Sequence, residues 1–301
     1  MDGFLNLRKP AGPTSHDLVA HVRRLLHVRR VGHGGTLDPL AEGVLPIGIG
    51  QATRLLSFLQ EGDKVYRAEV VLGVSTTTYD AEGEVTATRP VPPLARADLE
   101  QALASFLGEI QQVPPPFSAI RREGQHSYQR ARAGELVSPP PRQVHIFRLE
   151  LLTWALPTLA LEVVCGSGTY VRSLAHDLGE QLGCGAHLRG LLRLRVGPFP
   201  LEEAVTPEAL AEAAQEGRAE ALLLPLELPV RHWPAVQVNE QQARDVRNGL
   251  ALTLEVEAAG GWVRAHDRTG RLLALLRFVP DKGCWRPTRV FPPPEAAGGE
   301  P

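Results

Sequence analysis

Asp38 is the first residue of the chain whose setting suggests chemistry, because it lies in the glycine-rich segment GGTLDPLAEG. A carboxylate presented on a tight glycine-rich loop can act as a nucleophile or as a base. An aspartate followed by proline is also a usual start of a helix, with Asp38 as the N-cap and Pro39 at the first helical position. The spacing favours the N-cap but leaves both interpretations open.

A second candidate is the segment VVCGSGTYVRSLAHDLG, which reads as a strand that turns into a helix. Backbone N–H groups at such a turn can bind phosphate. Val171 stands where the dinucleotide fingerprint needs its third glycine, however, and no Walker lysine follows, so we expect no nucleotide cofactor. Arg172, one turn into the helix, is either a solvated surface residue or the partner of a buried carboxylate.

Two further residue types bear on the chemistry. Tyr66 and Tyr170 are two of only four tyrosines, and each could pack in the core or form a stacking platform for a base. The ten histidines do not show ligand spacing, because His21, His27 and His33 recur at intervals of six and so miss a common helical face. We therefore expect no metal site.

Composition excludes several classes of protein. The 301 residues suffice for about two domains, and 43% hydrophobic with 22% charged residues is typical of folded globular chains. The longest stretches free of charged residues have only 11 residues, too few to cross a bilayer. Three cysteines at irregular spacing fit no disulfide framework, and the first residues lack a secretory pattern, so we expect a cytoplasmic protein.

Net charge conceals local differences. The total of −2 combines an acidic stretch at 201–228, with seven Glu against Arg218 alone, and two basic ones. Residues 1–35 carry six Lys or Arg against two Asp, and residues 229–291 carry ten against six Asp or Glu. Binding to a polyanion is therefore compatible with these local surfaces.

Hydrophobic periodicity predicts the elements that position these residues. A Thr14 to Asp17 capping signal starts a helix that Gly32 ends, and a further helix is expected at 97–108. An acidic helix is predicted at 207–221, and a proline-bordered, arginine-rich excursion at 113–143. Alternating residues predict strands, which lie at 44–49, 64–74, 144–152 and 159–165.

Six blocks in order carry a family resemblance. They are RKPAGPTS at 8–15, GHGGTLDPLAEGVLP at 32–46, KVYR at 64–67, PPPFSAIRREGQHSYQRARAG at 114–134, GTYVR at 168–172 and GCGAHLRGLLRLRVG at 183–197. The chain closely resembles the bacterial tRNA pseudouridine-55 synthase family, TruB, over about residues 3–228.

The resemblance implies an α+β fold. A catalytic domain with a mixed, mainly antiparallel sheet is expected over 1–228, with a thumb-like insertion at about 115–143. A small β-rich domain of PUA type is expected over 229–291, and a disordered tail over 292–301.

The resemblance also implies a reaction and the residues that perform it. Uridine 55 in the T loop of tRNA would be flipped out and isomerised to pseudouridine, with Asp38 as the catalytic nucleophile or base. Arg172 would be the ion-pair partner of Asp38, and Tyr66 the aromatic under the flipped base. His33, Tyr170, Leu191 and Lys9 would contribute to substrate binding.

Isomerisation needs no cofactor, and none is expected, nor is an obligatory protein partner or a membrane. The RNA partner would be tRNA, bound through its T arm and elbow. Two alternatives stand beside this function: a non-catalytic RNA-binding or chaperone protein, and a related synthase acting on rRNA or with a guide RNA.

Overall fold

The computed structural model describes residues 1–116, 140–258 and 260–292, and the backbone at 121–122 and 125–126. Most of the insertion expected at about 115–143, and most of the tail expected at 292–301, therefore lie outside the described residues. Within the described part of the chain, no helix is long and apolar enough to cross a membrane.

The described chain contains the following strands and α-helices. The strands are β1 (Gly3–Lys9), β2 (Val31–His33), β3 (Glu42–Ile49), β4 (Lys64–Leu72), β5 (Val74–Thr76), β6 (Val85–Thr88), β7 (Gly108–Gln112), β8 (Arg121–Arg122), β9 (Gln125–His126), β10 (Arg142–Ala155), β11 (Thr158–Cys165), β12 (Ala186–Val196), β13 (Phe199–Pro200), β14 (Ala235–Gln237), β15 (Trp262–His266), β16 (Leu272–Val279) and β17 (Cys284–Val290). The helices are α1 (Ser15–Leu25), α2 (Leu56–Glu61), α3 (Arg96–Ala104), α4 (Val171–Gln181), α5 (Pro207–Gln215) and α6 (Glu240–Arg247).

A nine-stranded sheet forms the larger part of the fold, in the order β1-β3-β12-β4-β11-β10-β7, with β2 added to β3 and β13 to β12. The β3–β12 pair is parallel, and the other pairs are antiparallel. A second sheet, β14-β15-β16-β17, makes the C-terminal part β-rich. The expected α+β class with a mainly antiparallel sheet is confirmed.

The central strands place the chemistry-bearing residues on one face. In β4, buried residues alternate with more exposed ones, and Tyr66, Ala68 and Val70 face a core against α4. The neighbouring strand β12 opposes Arg193 to Tyr66 and Leu191 to Ala68. Sequence reasoning did not predict β12, because its arginines interrupt the apolar alternation that identifies a strand.

Three helix predictions are wrong at their C-terminal ends. The Thr14–Asp17 capping box starts α1 as predicted, but the helix ends at Leu25 and His27 adopts a left-handed φ of 52°. Val31–His33, with Gly32 at its centre, is free to pair with β3 as β2 as a result.

The other two helices end for a similar reason. α3 ends at Ala104, and Gly108, with φ of 84°, starts β7. The predicted helix at 207–221 splits at Gly217, with φ of 68°, into α5 and a short 3₁₀ turn at Ala219–Leu222. Each local conformation favours glycine and interrupts the helix.

The two sheets share a hydrophobic core. Leu55 and Leu59, from the segment that includes α2, pack in one cluster with Val230, Leu275 and Phe291 from the C-terminal part. Three aromatic rings extend this contact, since Trp233 stacks on Trp262 at 4.9 Å and meets the edge of Phe58 at 5.0 Å. The C-terminal part is therefore joined to the larger sheet by apolar packing.

We expect Trp233→Ala to lower the free energy of unfolding by about 3 kcal/mol, because it removes a ring that packs against both Phe58 and Trp262. Urea denaturation would measure this loss. Leu250→Ala is the control, since its side chain is 54% exposed and should change stability by less than about 0.5 kcal/mol. Equal losses in both variants would contradict the structural role of Trp233.

Candidate active site

A cleft of about 380 Å³ brings together residues from distant parts of the sequence. Five of the seven predicted site residues line it, namely Asp38, Tyr66, Tyr170, Arg172 and Leu191. Gly35, Lys64 and Arg193 complete parts of its wall. Lys9 and His33 lie outside the lining of the cleft, behind the loop that carries Asp38.

Arg172 connects two carboxylates. Its Nε lies 2.9 Å from Oδ2 of Asp38, and its Nη1 lies 3.1 Å from Oδ2 of Asp80. The side chains of Arg172 and Asp80 are only 7% and 3% exposed, whereas that of Asp38 is 35% exposed. Asp80 therefore anchors the guanidinium from behind, while Asp38 remains accessible from the cleft.

Asp80, in the segment TTTYDAEG, was not identified as a site residue by the sequence analysis. Its position is determined by a network, because Oδ1 accepts hydrogen bonds from the Thr78 hydroxyl and from the Glu82 N–H. The carbonyl of Thr78 also accepts from Arg172 Nη1 at 3.2 Å. Tyr79 adopts a left-handed φ of 64° and stacks on His176 of α4. An acidic residue in a threonine-rich turn was the only available signal.

The segment after Asp38 does not form a helix, so the interpretation of Asp38 as an N-cap is wrong. A single turn, in which Ala41 N–H donates to Asp38 O at 3.1 Å, leads directly into β3. The physical reason is that the chain must re-enter the sheet at Glu42. The Asp38 side chain is thereby left available to Arg172.

Lys9 supports this turn from inside the protein. It is fully buried, and its Nζ donates to the carbonyls of Pro10, Pro39 and Ala41 at 2.9, 3.0 and 2.6 Å. Burial lowers the pKa of Lys9 to about 8, against the opposing effect of nearby Asp38. Lys9 thus positions the loop, and its contribution to substrate binding stays a prediction.

Arg193 holds the other end of the same loop. Its guanidinium is buried and donates to the carbonyls of Gly35, Thr36 and Val44 at 3.0, 3.2 and 2.7 Å. It also interacts with the side chain of Tyr66, which is opposite it on β4. Sequence reasoning did not single out Arg193, although it lies in one of the six blocks.

Gly43 makes the junction between this loop and β12 sterically feasible. Its φ is 105°, and a Cβ added there would lie 2.2 Å from the carbonyl oxygen of Arg193. The parallel pairing of β3 with β12 therefore requires a residue without a side chain at position 43. That pairing places Arg193 under the Asp38 loop.

The electrostatics of Asp38 reflect two opposing effects. Burial raises the pKa of its carboxyl and neighbouring Asp80 adds to this, whereas Arg172 and Lys9 lower it. The balance leaves the pKa above its ordinary value. A carboxylate with a raised pKa is a better base and nucleophile than a fully solvated one, provided that it stays ionised.

Tyr66 forms part of the apolar floor of the cleft. It is buried, and burial raises the pKa of its phenol, so the ring is neutral near pH 7. Leu191 lines the same cleft from β12. An aromatic face with an adjacent leucine suits a flat, partly apolar ring such as a nucleobase.

Tyr170 is held at its backbone. The Gln112 side chain accepts from Tyr170 N–H at 2.8 Å and donates to Tyr170 O at 3.0 Å. The Arg142 guanidinium lies 5.5 Å from the centre of the Tyr170 ring. Gln112 ends β7 and Arg142 begins β10, so the two strands that flank residues 113–141 both contact Tyr170.

His33 ends β2 outside the cleft lining. Burial lowers its pKa, and its Nδ1 accepts a long hydrogen bond from Gly35 N–H at 3.4 Å. Its proposed contact with the substrate stays a prediction. Among the described residues, no group of three or more His, Cys, Asp or Glu is arranged to hold a metal ion.

Comparison with known proteins identifies the class. Residues 23–171 match the family model of the TruB family pseudouridylate synthase N-terminal domain. Residues 172–231 match the tRNA pseudouridylate synthase B C-terminal domain, and residues 233–292 match the C-terminal domain of tRNA pseudouridine synthase II.

Individual relatives agree with these matches. The tRNA pseudouridine synthase B of Dehalococcoides mccartyi is 42% identical, over 98% of this chain and all of the relative. That of Pseudomonas aeruginosa is 44% identical, over 97% of this chain and 96% of the relative. A chain in a crystal structure of a Cbf5-Nop10-Gar1 complex superposes with a TM-score of 0.72 at 30% identity, covering 91% of this chain and 78% of that one.

The fold is therefore that of a pseudouridine synthase, an isomerase. The chain belongs to the TruB family of pseudouridylate synthases.

Arg172→Ala is expected to slow the single-turnover rate strongly and to lower the free energy of unfolding by about 3 to 5 kcal/mol, because Asp80 is left buried without its cation. Loss of the positive charge also raises the pKa of Asp38 further, so the rate profile should shift to higher pH. Arg172→Lys should have an intermediate rate, since lysine keeps the positive charge but lacks the planar guanidinium that bonds both carboxylates.

Rates measured against pH for wild type, both variants and the exposed control Arg218→Ala would test this. A folded Arg172→Ala enzyme with the wild-type pH profile would show that Arg172 does not control the ionisation of Asp38.

Lys9 is expected to make the single-turnover rate of isomerisation decline at alkaline pH. A charged ammonium offers three donors, and the neutral amine offers fewer, so loss of the proton near pH 8 leaves one of the three carbonyls, of Pro10, Pro39 and Ala41, without a donor and loosens the support of the Asp38 loop. The single-turnover rate should therefore fall as the pH rises through about 8.

Lys9→Met should have a lower single-turnover rate at pH 7, and its rate should show no decline above pH 8. The control Lys282→Met, at an exposed lysine, should show the same decline as wild type. A Lys9→Met enzyme with the same alkaline decline as wild type would assign the decline to another group.

Proposed function

We propose that this protein converts uridine 55 in the T loop of tRNA to pseudouridine, with Asp38 as the catalytic carboxylate. One observation carries the proposal: in the cleft, Asp38 is the accessible end of a buried Asp80–Arg172 pair and lies beside Tyr66. The relatives that span nearly the whole chain at 42 and 44% identity bear the name tRNA pseudouridine synthase B. Identity to the chain from the three-protein Cbf5 complex is lower, at 30%. A tRNA substrate would place the enzyme in the cytoplasm.

The isomerisation exchanges one glycosidic bond for another. The bond between C1′ and N1 breaks, the uracil turns, and a bond forms between C1′ and C5. C5 gives up its proton and N1 gains one, so atoms and electrons balance without an oxidant or a reductant. Addition of Asp38 to C1′ or to C6, or removal of a sugar proton by Asp38, would each start this sequence.

Every one of these routes requires Asp38 to be ionised at the working pH. Arg172 supplies the adjacent positive charge, and the loop donors Lys9 and Arg193 lie behind the carboxylate. Because these groups are already in place in the folded protein, little reorganisation is needed when charge develops on the substrate. The 35% exposure of the Asp38 side chain leaves it open to a base in the cleft.

The uridine must leave its stack to reach Asp38. Flipping a base costs a few kcal/mol, which stacking in the cleft can offset. We assign this stacking to Tyr66, with Leu191, Tyr170 and His33 as further substrate contacts. The β-rich part at 229–291 is proposed to hold the tRNA elbow as a PUA-type domain, through its excess of arginines.

Asp38→Asn is expected to abolish conversion while leaving the dissociation constant for tRNA within about threefold of wild type, because it preserves shape but removes the nucleophile or base. The control Asp281→Asn changes an exposed carboxylate of the C-terminal part and should be fully active.

Tritium release from C5 of the target uridine in a labelled T-arm stem-loop, beside filter binding, would measure both quantities. The same stem-loop with cytidine in place of uridine 55 should yield no product. Turnover of Asp38→Asn within about tenfold of wild type would show that Asp38 does not take part in the chemistry. Product from the stem-loop that carries cytidine at position 55 would show that the target is not uridine 55.

A further inference from the structure

Phe147 is an exposed aromatic residue at an irregularity of the main sheet. Ile146 pairs with Cys165 and Arg148 pairs with Val164, so Phe147 is the extra residue of a β-bulge in β10. Its side chain is 51% exposed. Bulges redirect side chains and are frequent near active sites, so the direction of this ring calls for an explanation.

The surroundings of Phe147 connect it to the cleft. Its ring lies 4.4 Å from the ring of His145, at an angle of 32°. A Cβ placed on Gly166 would lie 3.8 Å from the Phe147 ring, and Gly166 lines the cleft. The Phe147–His145 pair is therefore separated from the cleft by the width of one residue without a side chain.

A positively charged residue, Arg142, lies near the same edge of the cleft. Arg142 lies three residues before His145 on β10, and its guanidinium reaches over Tyr170 and to within 3.5 Å of a Cβ placed on Gly168, which lines the cleft as Gly166 does. Arg148, next to Phe147, is instead engaged by Glu150 and Glu162. The edge of the cleft at Gly166 and Gly168 is thus flanked by an aromatic pair, Phe147 and His145, and by Arg142 over the Tyr170 ring.

We propose that Phe147 and His145 form a stacking platform for an unpaired base next to the target uridine, with Arg142 near the intervening phosphate. The platform rests on the proposed function, because it requires a single-stranded RNA segment entering the cleft. It adds a second base-binding position outside the cleft that holds Asp38.

A nucleotide fits this surface better than a protein partner does. Unpaired bases expose flat faces that stack on aromatic rings, and the phosphate between two bases suits an arginine. Two other exposed apolar residues lie on β10: Leu152 is five residues further along, about 17 Å away in an extended strand, and Trp154 is seven residues further along, about 23 Å away. Phe147 is thus a local platform beside the cleft and does not extend into one broad apolar patch with Trp154.

The test is a double-mutant cycle between protein and RNA. Wild type, Phe147→Ala, Phe147→Tyr and the control Trp154→Ala would be titrated with an intact T-arm stem-loop. Two further stem-loops would carry an abasic ribose at the nucleotide on the 5′ or the 3′ side of the target uridine. Trp154 is 39% exposed on the same strand, and Trp154→Ala should leave the affinity for each of the three RNAs unchanged.

Phe147→Ala should weaken binding of the intact RNA by about tenfold and have no effect on one of the two abasic RNAs. Phe147→Tyr should restore the affinity for intact RNA, since it keeps the ring. An equal loss on all three RNAs, or no loss on any, would overturn the platform. Wild-type conversion of the intact stem-loop, measured in parallel, tests the proposed function separately.

Discussion

The loop between β2 and β3 that carries Asp38 is partly buried and has no regular secondary structure, so its buried backbone carbonyls need donors from elsewhere. Those donors are side chains. Lys9 bonds Pro39 and Ala41, Arg193 bonds Gly35, Thr36 and Val44, and Ser15 both donates to and accepts from Leu37. A buried carbonyl without a donor would cost about 1 to 3 kcal/mol, so this loop has one strongly favoured conformation.

The cations that donate hydrogen bonds to the carbonyls of this loop also affect the pKa of Asp38. Two buried positive charges lie behind Asp38, and Arg172 lies beside it. Lys9 and Arg172 oppose the burial that raises the pKa of the carboxyl. Asp80 draws the guanidinium into the core and prevents it from neutralising Asp38 by a full bidentate pair. The same residues therefore shape the loop and tune its carboxylate.

The rest of the molecule positions this centre relative to RNA-binding surfaces. Tyr170 is contacted by Gln112 and Arg142, so the two strands that flank residues 113–141 meet beside the cleft. The C-terminal sheet is joined to the larger one through Phe58, Trp233 and Trp262. Both contacts fix the geometry between the chemistry and the surfaces proposed to hold tRNA.

The sequence by itself determined the fold class, most strand positions, and the residues Asp38, Tyr66 and Arg172 as candidates, because alternation, caps and ordered blocks are local signals. It did not identify Asp80, β12 or the role of Arg193, and it favoured a helix after Asp38. Only the tertiary structure decided these points. The contacts that matter join Arg193 to Val44 across 149 residues and Lys9 to Ala41 across 32. No local periodicity records such pairs, since they depend on strand order and on the close approach at Gly43.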